Sequence, residues 1–201
     1  MKVKTKKKFM QAKGWLQGVR LLPSPNFNER PVDVEIDLLV IHNISLPPGE
    51  FGGDSFGNNN FGNNNVDALF CNTLNCDAHP YFNILRDLRV SAHFFINRAG
   101  GVTQYVSLND RAWHAGKSQW DGRDDCNDFS IGVELEGTDT VPYTDAQYAS
   151  LIGLAKILMQ FFPSITQKRI VGHNDIAPDR KTDPGEAFDW PRFRAALNIE
   201  H

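Results

Sequence analysis

Residues suited to metal-assisted hydrolysis lie in four separate segments of the chain. His42 follows an apolar run, His93 and Glu134 belong to two later apolar segments, and a last segment carries both His173 and Asp183. A catalytic zinc site uses about three neutral-histidine or carboxylate ligands and keeps one position open for water. His42, His173 and Asp183 have side chains of this kind.

Spacing alone does not select this trio of ligands. The sequence contains six histidines: His42, His79, His93, His114, His173 and His201. Ligands that come together from distant segments leave no compact signature such as HExxH. A lone histidine is more often a hydrogen-bonded structural residue than a ligand, so other trios stay open at this point.

The three cysteines do not suggest a disulfide scaffold. Cys71, Cys76 and Cys126 are an odd number at low density in a chain of 201 residues, which favours a reducing compartment. Cys71 and Cys76 have the spacing of one ligand pair in zinc ribbons, but no second pair follows them. A cysteine zinc site is therefore the weaker alternative.

Composition limits the class of protein. With 201 residues, of which 41% are hydrophobic and 22% charged, the chain has the size of one globular domain. A net charge of -3 does not suggest a nucleic-acid binder, and no run reaches the roughly 18 apolar residues of a membrane span. The start of the chain is rich in lysine, but no apolar segment follows. We therefore expect a flexible basic tail over 1–13 and no secretion signal.

Alternating strand and helix patterns predict an α/β domain with a mixed central sheet and helices against it. Residues 35–42 are mostly apolar and predict a buried strand that ends at His42. Residues 92–96 and 102–106 predict a hairpin around the glycine-bearing turn 97–101.

Two further segments have clear periodicity. Residues 130–137 alternate between apolar and other residues, which places Glu134 and Glu136 together on one face of a strand. The clearest helix opens with a capping box at Thr144 and carries apolar residues at helical spacing until Pro163. This pattern predicts an amphipathic helix that covers the core.

A segment of low complexity interrupts these elements. Residues 51–65 are rich in Gly and Asn, and the motif FGNNN occurs in them twice. Such sequence prefers turns and does not bury a core, so we expect a surface-loop insertion over 54–65. We expect a short helix directly after it, with Asn65 as its cap, and a last short helix from Pro191.

Seven stretches of the chain resemble one family. In chain order they are VIHNISLPPGEFGG, VDALF, LRVSAH, RAWHAG, CNDFSIGVELEGTD, YTDAQY and GHNDIAPDRKTDPG. They are similar to the cytoplasmic 1,6-anhydro-N-acetylmuramoyl-L-alanine amidases (AmpD type) of peptidoglycan recycling, within the zinc amidase and peptidoglycan-recognition superfamily. The resemblance extends from about Gly14 to Phe193 and implies one zinc amidase domain over 14–201.

The resemblance implies a Zn²⁺ cofactor and a muropeptide substrate cut between N-acetylmuramic acid and L-alanine. It makes His42, His173 and Asp183 the zinc ligands, Glu134 the catalytic glutamate and Lys181 the cation that stabilises the transition state. The residue types suit this chemistry, because zinc makes water more acidic and polarises the amide carbonyl. Glu134 takes the proton of the water and passes it to the leaving amine, and Lys181 offsets charge on the tetrahedral oxygen.

Several of these roles keep an alternative. Periodicity does not distinguish Glu134 from Glu136, and only the resemblance favours Glu134. Lys181 has the alternative of an exposed lysine in a turn. His93 is expected to be structural or to orient a ligand.

Four more residues are expected to bind the substrate. Asn43, Trp113 and His114 are expected to line the substrate groove, and Arg89 to pair with a peptide carboxylate. Two rival functions share the pattern: a module that binds muropeptides without cutting them, and an amidase that acts on intact peptidoglycan outside the cytoplasm. The complete set of ligand residues argues against the first, and the missing secretion signal against the second. We therefore expect a cytoplasmic enzyme without a nucleic-acid, membrane or obligatory protein partner.

Overall fold

The structure, a computed structural model, describes residues 12–51 and 65–198 and is built around a mixed sheet. Its strands in chain order are β1 (Arg20–Leu21), β2 (Phe27–Glu29), β3 (Leu38–Ile44), β4 (Phe94–Ile96), β5 (Val102–Gln104), β6 (Asp110–Ala112), β7 (Gln119–Trp120), β8 (Arg123–Asp124), β9 (Ser130–Glu136) and β10 (Ile170–Gly172). The central sheet has the order β1-β5-β4-β9-β3-β10, and only β4 and β5 in it run antiparallel. The mixed sheet expected from the sequence is confirmed.

Helices cover this sheet and supply the turns that follow its strands. The α-helices are α1 (Asn65–Phe70), α2 (Asp145–Phe161), α3 (His173–Ile176) and α4 (Trp190–Leu197). Short 3₁₀ helices lie at Ala12–Gly14, Pro80–Leu85, Cys126–Asp128 and Gln167–Arg169. The architecture is the expected α/β domain.

Three parallel strands, β10, β3 and β9, bring their carboxyl ends to one edge of the sheet. In the ladder between β3 and β9, His42 pairs with Glu134, and in the ladder between β10 and β3, Gly172 pairs with Ile41. Side chains paired across a ladder point to the same face of the sheet. The register therefore places His42 beside Glu134, and His173 directly follows the end of β10.

The boundary predicted for β3 was wrong by several residues. The strand spans Leu38–Ile44 rather than 35–42, so His42 lies inside it and not at its end. The reason is that the partner strand continues: Ile44 pairs with Glu136 of β9, and this ladder keeps the chain extended beyond the apolar run.

Both faces of β9 are covered. Ile131, Val133 and Leu135 pack in one core cluster with Leu151 and Leu158 of α2. The alternate side chains of β9 point away from α2, and all residues of the strand are buried. The alternation predicted for this segment is confirmed, but its polar face borders the interior of the protein rather than solvent.

Local sequence signals place α2 as predicted. The hydroxyl of Thr144 accepts a hydrogen bond from the Gln147 N–H, and the Gln147 side chain accepts one from the Thr144 N–H. The amide of Gln147 also donates to the carbonyls of Ile96 and Glu136, which joins the start of α2 to β4 and β9. The capping box therefore fixes both the start of the helix and its position on the sheet.

The shorter predicted elements are also present. The hairpin forms between β4 and β5, and the Asn97 side chain accepts hydrogen bonds from the N–H groups of Ala99 and Gly101 in its turn. Asp189 caps α4, which begins at Trp190, one residue before the predicted position. Asn65, predicted to cap α1, is instead its first residue, and its side chain donates to the carbonyl of Leu46.

Two expected features lie mostly outside the described residues. Of the basic tail expected over 1–13, residues 1–11 are not described, and the insertion expected over 54–65 is described only at Asn65. Among the helices of the described ranges, none has both the length and the apolar character for crossing a membrane.

Replacing Thr144 by Ala is expected to lower the free energy of unfolding by about 1–2 kcal/mol, because the variant loses the cap of α2. The hydroxyl of Thr144 also donates to the carbonyl of Arg98, so a contact with the β4–β5 turn is lost as well. Urea denaturation measures the change, and Thr144→Ser, which keeps the hydroxyl, serves as the matched control. Equal stability of the Ala variant and the parent protein would show that the capping box contributes nothing measurable.

Candidate active site

A cavity of about 650 Å³ opens at the carboxyl ends of the central strands. Most of the residues expected to act in catalysis or binding line it: Asn43, Trp113, His114, Glu134, His173, Lys181 and Asp183. His42 lies directly behind this wall and is 1% exposed. Chain segments that are far apart in sequence are therefore brought together at one edge of the sheet, where α/β proteins commonly bind ligands.

The three expected ligands converge on one point. His42 Nδ1 lies 2.9 Å from His173 Nδ1 and 3.1 Å from Asp183 Oδ2, and His173 Nδ1 lies 3.0 Å from the same carboxylate oxygen. Within the described ranges, these residues form the one group of His, Cys, Asp and Glu side chains arranged to hold a metal ion. The cysteine alternative receives no support, because Cys71, Cys76 and Cys126 are free and belong to no such group.

The geometry of these donors fits zinc. Zinc binds imidazole nitrogen and carboxylate oxygen at about 2.0–2.2 Å, so donors on one face of a tetrahedron are about 3.3 Å apart. The observed separations of 2.9–3.1 Å are close to that value. A mixed set of two imidazoles and one carboxylate is also a ligand set of catalytic zinc sites.

Two of the histidines near this point, His42 and His114, have lowered pKa values. Burial lowers the pKa of His42 to about 4. Burial, followed by the neighbouring His42, holds the pKa of His114 well below its ordinary value. A neutral imidazole has one N–H and one lone pair. The outer partner of each ring therefore decides whether its inner nitrogen can bind a metal ion.

Glu134 is a buried carboxylate with an unused oxygen. Its side chain lies 9% exposed on the cavity wall, and Oε2 has no hydrogen-bond partner among the described residues. Burial raises the pKa of Glu134 well above its usual range; the carboxylate of Asp183 adds to the rise and the ammonium of Lys181 opposes it. Such a group accepts and releases a proton more readily near neutral pH than an exposed carboxylate does.

Glu136 differs from Glu134 although both belong to the same face of β9. The Arg98 N–H donates to Glu136 Oε2 at 2.8 Å. Glu136 is also absent from the residues that line the cavity. Geometry thus separates the two carboxylates that sequence periodicity left equivalent.

Asp139 holds the loop that carries Lys181 and Asp183. Asn43 Nδ2 donates to Asp139 Oδ1 at 2.8 Å, and Thr182 Oγ1 donates to Asp139 Oδ2 at 2.5 Å. The sequence analysis did not single out Asp139, and only its place in a stretch that resembles the family offered a signal. Asn43, expected to bind substrate, therefore also bridges β3 to this loop while it lines the cavity.

A glycine is required where this loop passes Asp139. Gly185 has a φ of +79°, in the left-handed region, and a Cβ on it would overlap the backbone of Asp139. The Asp183 carbonyl accepts a hydrogen bond from the Asn174 N–H at 3.0 Å, which joins the loop to α3. Hydrogen bonds to Asp139 and to α3 therefore both hold the loop that carries Asp183.

The remaining expected residues take different positions. Trp113 is half-buried on the cavity wall, and its Nε1 donates to Asn28 Oδ1 at 2.6 Å. Arg89 is exposed and is not a lining residue; its guanidinium donates to the carbonyls of Arg86 and Leu88. His93 is fully buried, with Nδ1 accepting from the Gly132 N–H at 3.1 Å, as a structural histidine would be.

The cavity combines a polar end with an apolar end. Its polar end is the edge of the sheet described above. The apolar end was not recognised in the sequence, because its residues come from several short elements: Leu46, Pro48, Leu69, Phe70, Tyr81, Leu85 and Leu88. A ligand in this cavity can place a polar group at the histidines while its apolar parts contact these apolar residues.

Comparison with known proteins identifies the family of the chain. The family model described as N-acetylmuramoyl-L-alanine amidase matches residues 32–186. The chain is 55% identical over 187 residues, 93% of this chain and 96% of the relative, to the 1,6-anhydro-N-acetylmuramyl-L-alanine amidase AmpD of Escherichia coli (strain K12). A crystal structure of a selenomethionine derivative of AmpD is 52% identical, has a TM-score of 0.85, and is matched over 94% of this chain and 99% of that chain.

A more distant structure includes a ligand in its description. It is the complex of the N-acetylmuramyl-L-alanine amidase AmiD from E. coli with the substrate anhydro-N-acetylmuramic acid-L-Ala-D-gamma-Glu-L-Lys. It is 26% identical, with a TM-score of 0.56, and the match covers 94% of this chain and 66% of that chain. Sequence, fold and site geometry agree, and the chain belongs to the N-acetylmuramoyl-L-alanine amidase family.

Proposed function

We propose that this enzyme is a zinc-dependent amidase that cuts muropeptides between (1,6-anhydro-)N-acetylmuramic acid and L-alanine in peptidoglycan recycling. The observation that carries this proposal is the convergence of His42, His173 and Asp183 within 2.9–3.1 Å of one another. The buried carboxylate of Glu134 lies beside them, on the strand paired with that of His42.

The choice of substrate is supported by the relatives. The AmpD relatives of 51–56% identity, which match more than nine-tenths of this chain, are named for the 1,6-anhydro-N-acetylmuramyl-L-alanine bond. The AmiD structure described above holds an anhydromuramyl peptide. Cytoplasmic location and the absence of a nucleic-acid, membrane or protein partner remain predictions from the sequence.

His42, His173 and Asp183 would hold the zinc ion. Zinc supplies Lewis acidity, which makes a water molecule more acidic and polarises the carbonyl of the amide. The fold holds these side chains in place, because two of them belong to or follow parallel strands and the third lies in the loop anchored by Asp139.

Glu134 is the proposed general base and acid. Its Oε2 accepts a proton from the attacking water, and the same proton then passes to the nitrogen of the leaving L-alanine as the C–N bond breaks. Burial suits Glu134 to both steps, since its raised pKa makes the carboxylate a stronger base and the carboxyl group a competent acid at neutral pH. Proton transfer of this kind contributes about 10²–10⁴ in rate.

Lys181 is the proposed stabiliser of the tetrahedral oxygen. It lines the cavity and its positive charge reaches both Glu134 and His42. The backbone N–H of Lys181 donates to the Ala177 carbonyl at 2.9 Å, so the end of α3 fixes the main chain from which the side chain extends. An ammonium held at the site favours the transition state, in which negative charge develops on the oxygen.

The cavity supports a ligand the size of a muramyl peptide fragment. Its volume of about 650 Å³ falls within the usual range for small-molecule sites, about 300–1,000 Å³. Asn43 and Trp113 are proposed to contact the substrate from the wall. Arg89 is proposed to meet a peptide carboxylate at the rim, next to the lining residues Leu88 and Val90.

Removal of metal is expected to abolish activity. Treatment with EDTA or dipicolinate should stop release of peptide from an anhydromuropeptide, and addition of zinc should restore it, because His42, His173 and Asp183 then regain their ion. Mass spectrometry of the products measures the reaction. Cys71→Ser and Cys76→Ser serve as controls that keep about one zinc per chain. Full activity in protein verified to be free of metal would contradict the proposal.

Replacing Glu134 by Gln is expected to lower kcat by about 10²-fold or more while zinc content and KM stay near those of the parent, because a general base is removed and no ligand is lost. Glu136→Gln is the matched control on the same face of β9 and should have a milder effect on kcat. Steady-state kinetics with metal analysis measure both variants. If the larger loss of kcat came from Glu136→Gln, or if Glu134→Gln lost its zinc, the assignment of the base would be wrong.

A further inference from the structure

The outer nitrogens of both histidine ligands meet consecutive residues of one segment. His173 Nε2 lies 3.0 Å from the carbonyl oxygen of Ala115, and His42 Nε2 lies 3.0 Å from Nδ1 of His114. The Ala115 carbonyl only accepts hydrogen bonds, so a proton on His173 Nε2 has a partner there. In that tautomer Nδ1 presents a lone pair toward His42, whereas the Asp183 carboxylate, 3.0 Å from Nδ1, would accept a proton in the other tautomer.

A chain of hydrogen bonds indicates which ring nitrogen of His42 carries its proton. The hydroxyl of Ser130 donates its one proton to the Cys126 carbonyl at 2.5 Å. Ser130 Oγ also lies 3.2 Å from His114 Nε2, and must accept there, so the single proton of the neutral His114 ring is on Nε2. His114 Nδ1 is then an acceptor, and the neighbouring His42 Nε2 is the donor.

From this chain we propose that His114 is a positioning residue for the metal. Held by Ser130, it keeps His42 in the Nε2–H tautomer, so that the Nδ1 lone pair of His42 faces the same point as His173 Nδ1 and Asp183. This inference rests on the zinc site proposed above. It replaces direct substrate binding as the main role of His114, whose side chain is only 9% exposed.

The surroundings of His114 hold its ring and backbone in place. Asn127 Oδ1 accepts hydrogen bonds from the N–H groups of His114 at 3.0 Å and Ala115 at 2.8 Å. The ring lies against Gly132 of β9, where a Cβ would overlap the imidazole. The Ala115 carbonyl also accepts from Arg180 Nη2 at 2.7 Å. One rigid segment thus orients both ligand histidines, as the partners of metal-binding histidines generally do.

Zinc affinity of two His114 variants tests this role. His114→Leu removes the acceptor for His42 and should weaken the zinc Kd by about 10–100-fold. His114→Asn keeps a side-chain oxygen near the position of Nδ1 and should recover most of that loss. Competition with a chromogenic chelator measures each Kd. His79→Leu, a histidine outside the cavity lining, is the matched control and should bind zinc as the parent does.

The tautomer itself can be measured in the parent protein without metal. Asp183 Oδ2 lies 3.1 Å from His42 Nδ1 and only accepts hydrogen bonds, so it favours the Nδ1–H tautomer in competition with His114. Nitrogen-15 NMR of the histidine side chains should therefore show less of the His42 Nε2–H tautomer in His114→Leu than in the parent. Because this comparison needs no zinc, a failure of the proposed zinc site would leave it decisive.

Three results would overturn the inference. The first is a balance of His42 tautomers that is the same in the metal-free parent and in metal-free His114→Leu. The second is a His114→Leu variant that binds zinc as tightly as the parent. The third is a His114→Leu variant with raised KM and unchanged zinc Kd, which would make His114 a substrate contact. A parent protein that binds no zinc would instead contradict the proposed function.

Discussion

Convergence of two imidazole nitrogens and one carboxylate oxygen on a single point is the constraint on which the rest of this structure depends. These three atoms lie 2.9–3.1 Å apart in a buried place. Burying polar side chains costs free energy unless partners are held in suitable positions. The fold must therefore hold His42, His173 and Asp183 in this arrangement, which suits the zinc ion proposed to bind there.

Parallel pairing of β10, β3 and β9 fixes the positions of His42 and of His173, which follows β10. The ladders run through seven residue pairs between β3 and β9 and three between β10 and β3, so the carboxyl ends of these strands cannot shift relative to one another without loss of many hydrogen bonds. The apolar face of β9 anchors the ends against α2 through residues such as Val133 and Leu151. Catalytic side chains thus stand on the opposite face of a rigid sheet.

Two loops complete the site, and a polar side chain that accepts two hydrogen bonds holds each of them. Asp139 receives hydrogen bonds from Asn43 and Thr182 and so fixes the loop of Asp183. Asn127 receives two backbone hydrogen bonds and fixes the segment that contacts the outer edges of both histidines. Both side chains can affect catalysis without contacting the substrate, because each helps to determine the orientation of the reacting groups.

Much of the fold could be predicted from the sequence, since its signals are local. The capping box at Thr144, the turn glycines of the β4–β5 hairpin and the alternation of 130–137 depend on residues within a few positions of one another. The resemblance to the amidase family supplied the expected ligands, and the structure brings His42, His173 and Asp183 together.

Other features were decided only by the tertiary structure, because they depend on partners far away in the chain. A period of two places Glu134 and Glu136 on one face. The two carboxylates differ in the folded protein, because Glu136 accepts from the Arg98 N–H, 38 positions away, while Glu134 lines the cavity. The end of β3 follows its ladder with β9 rather than its own apolar run. The tautomer of His42 likewise depends on a ring 72 positions away, and no local pattern in a sequence records which nitrogen that ring presents.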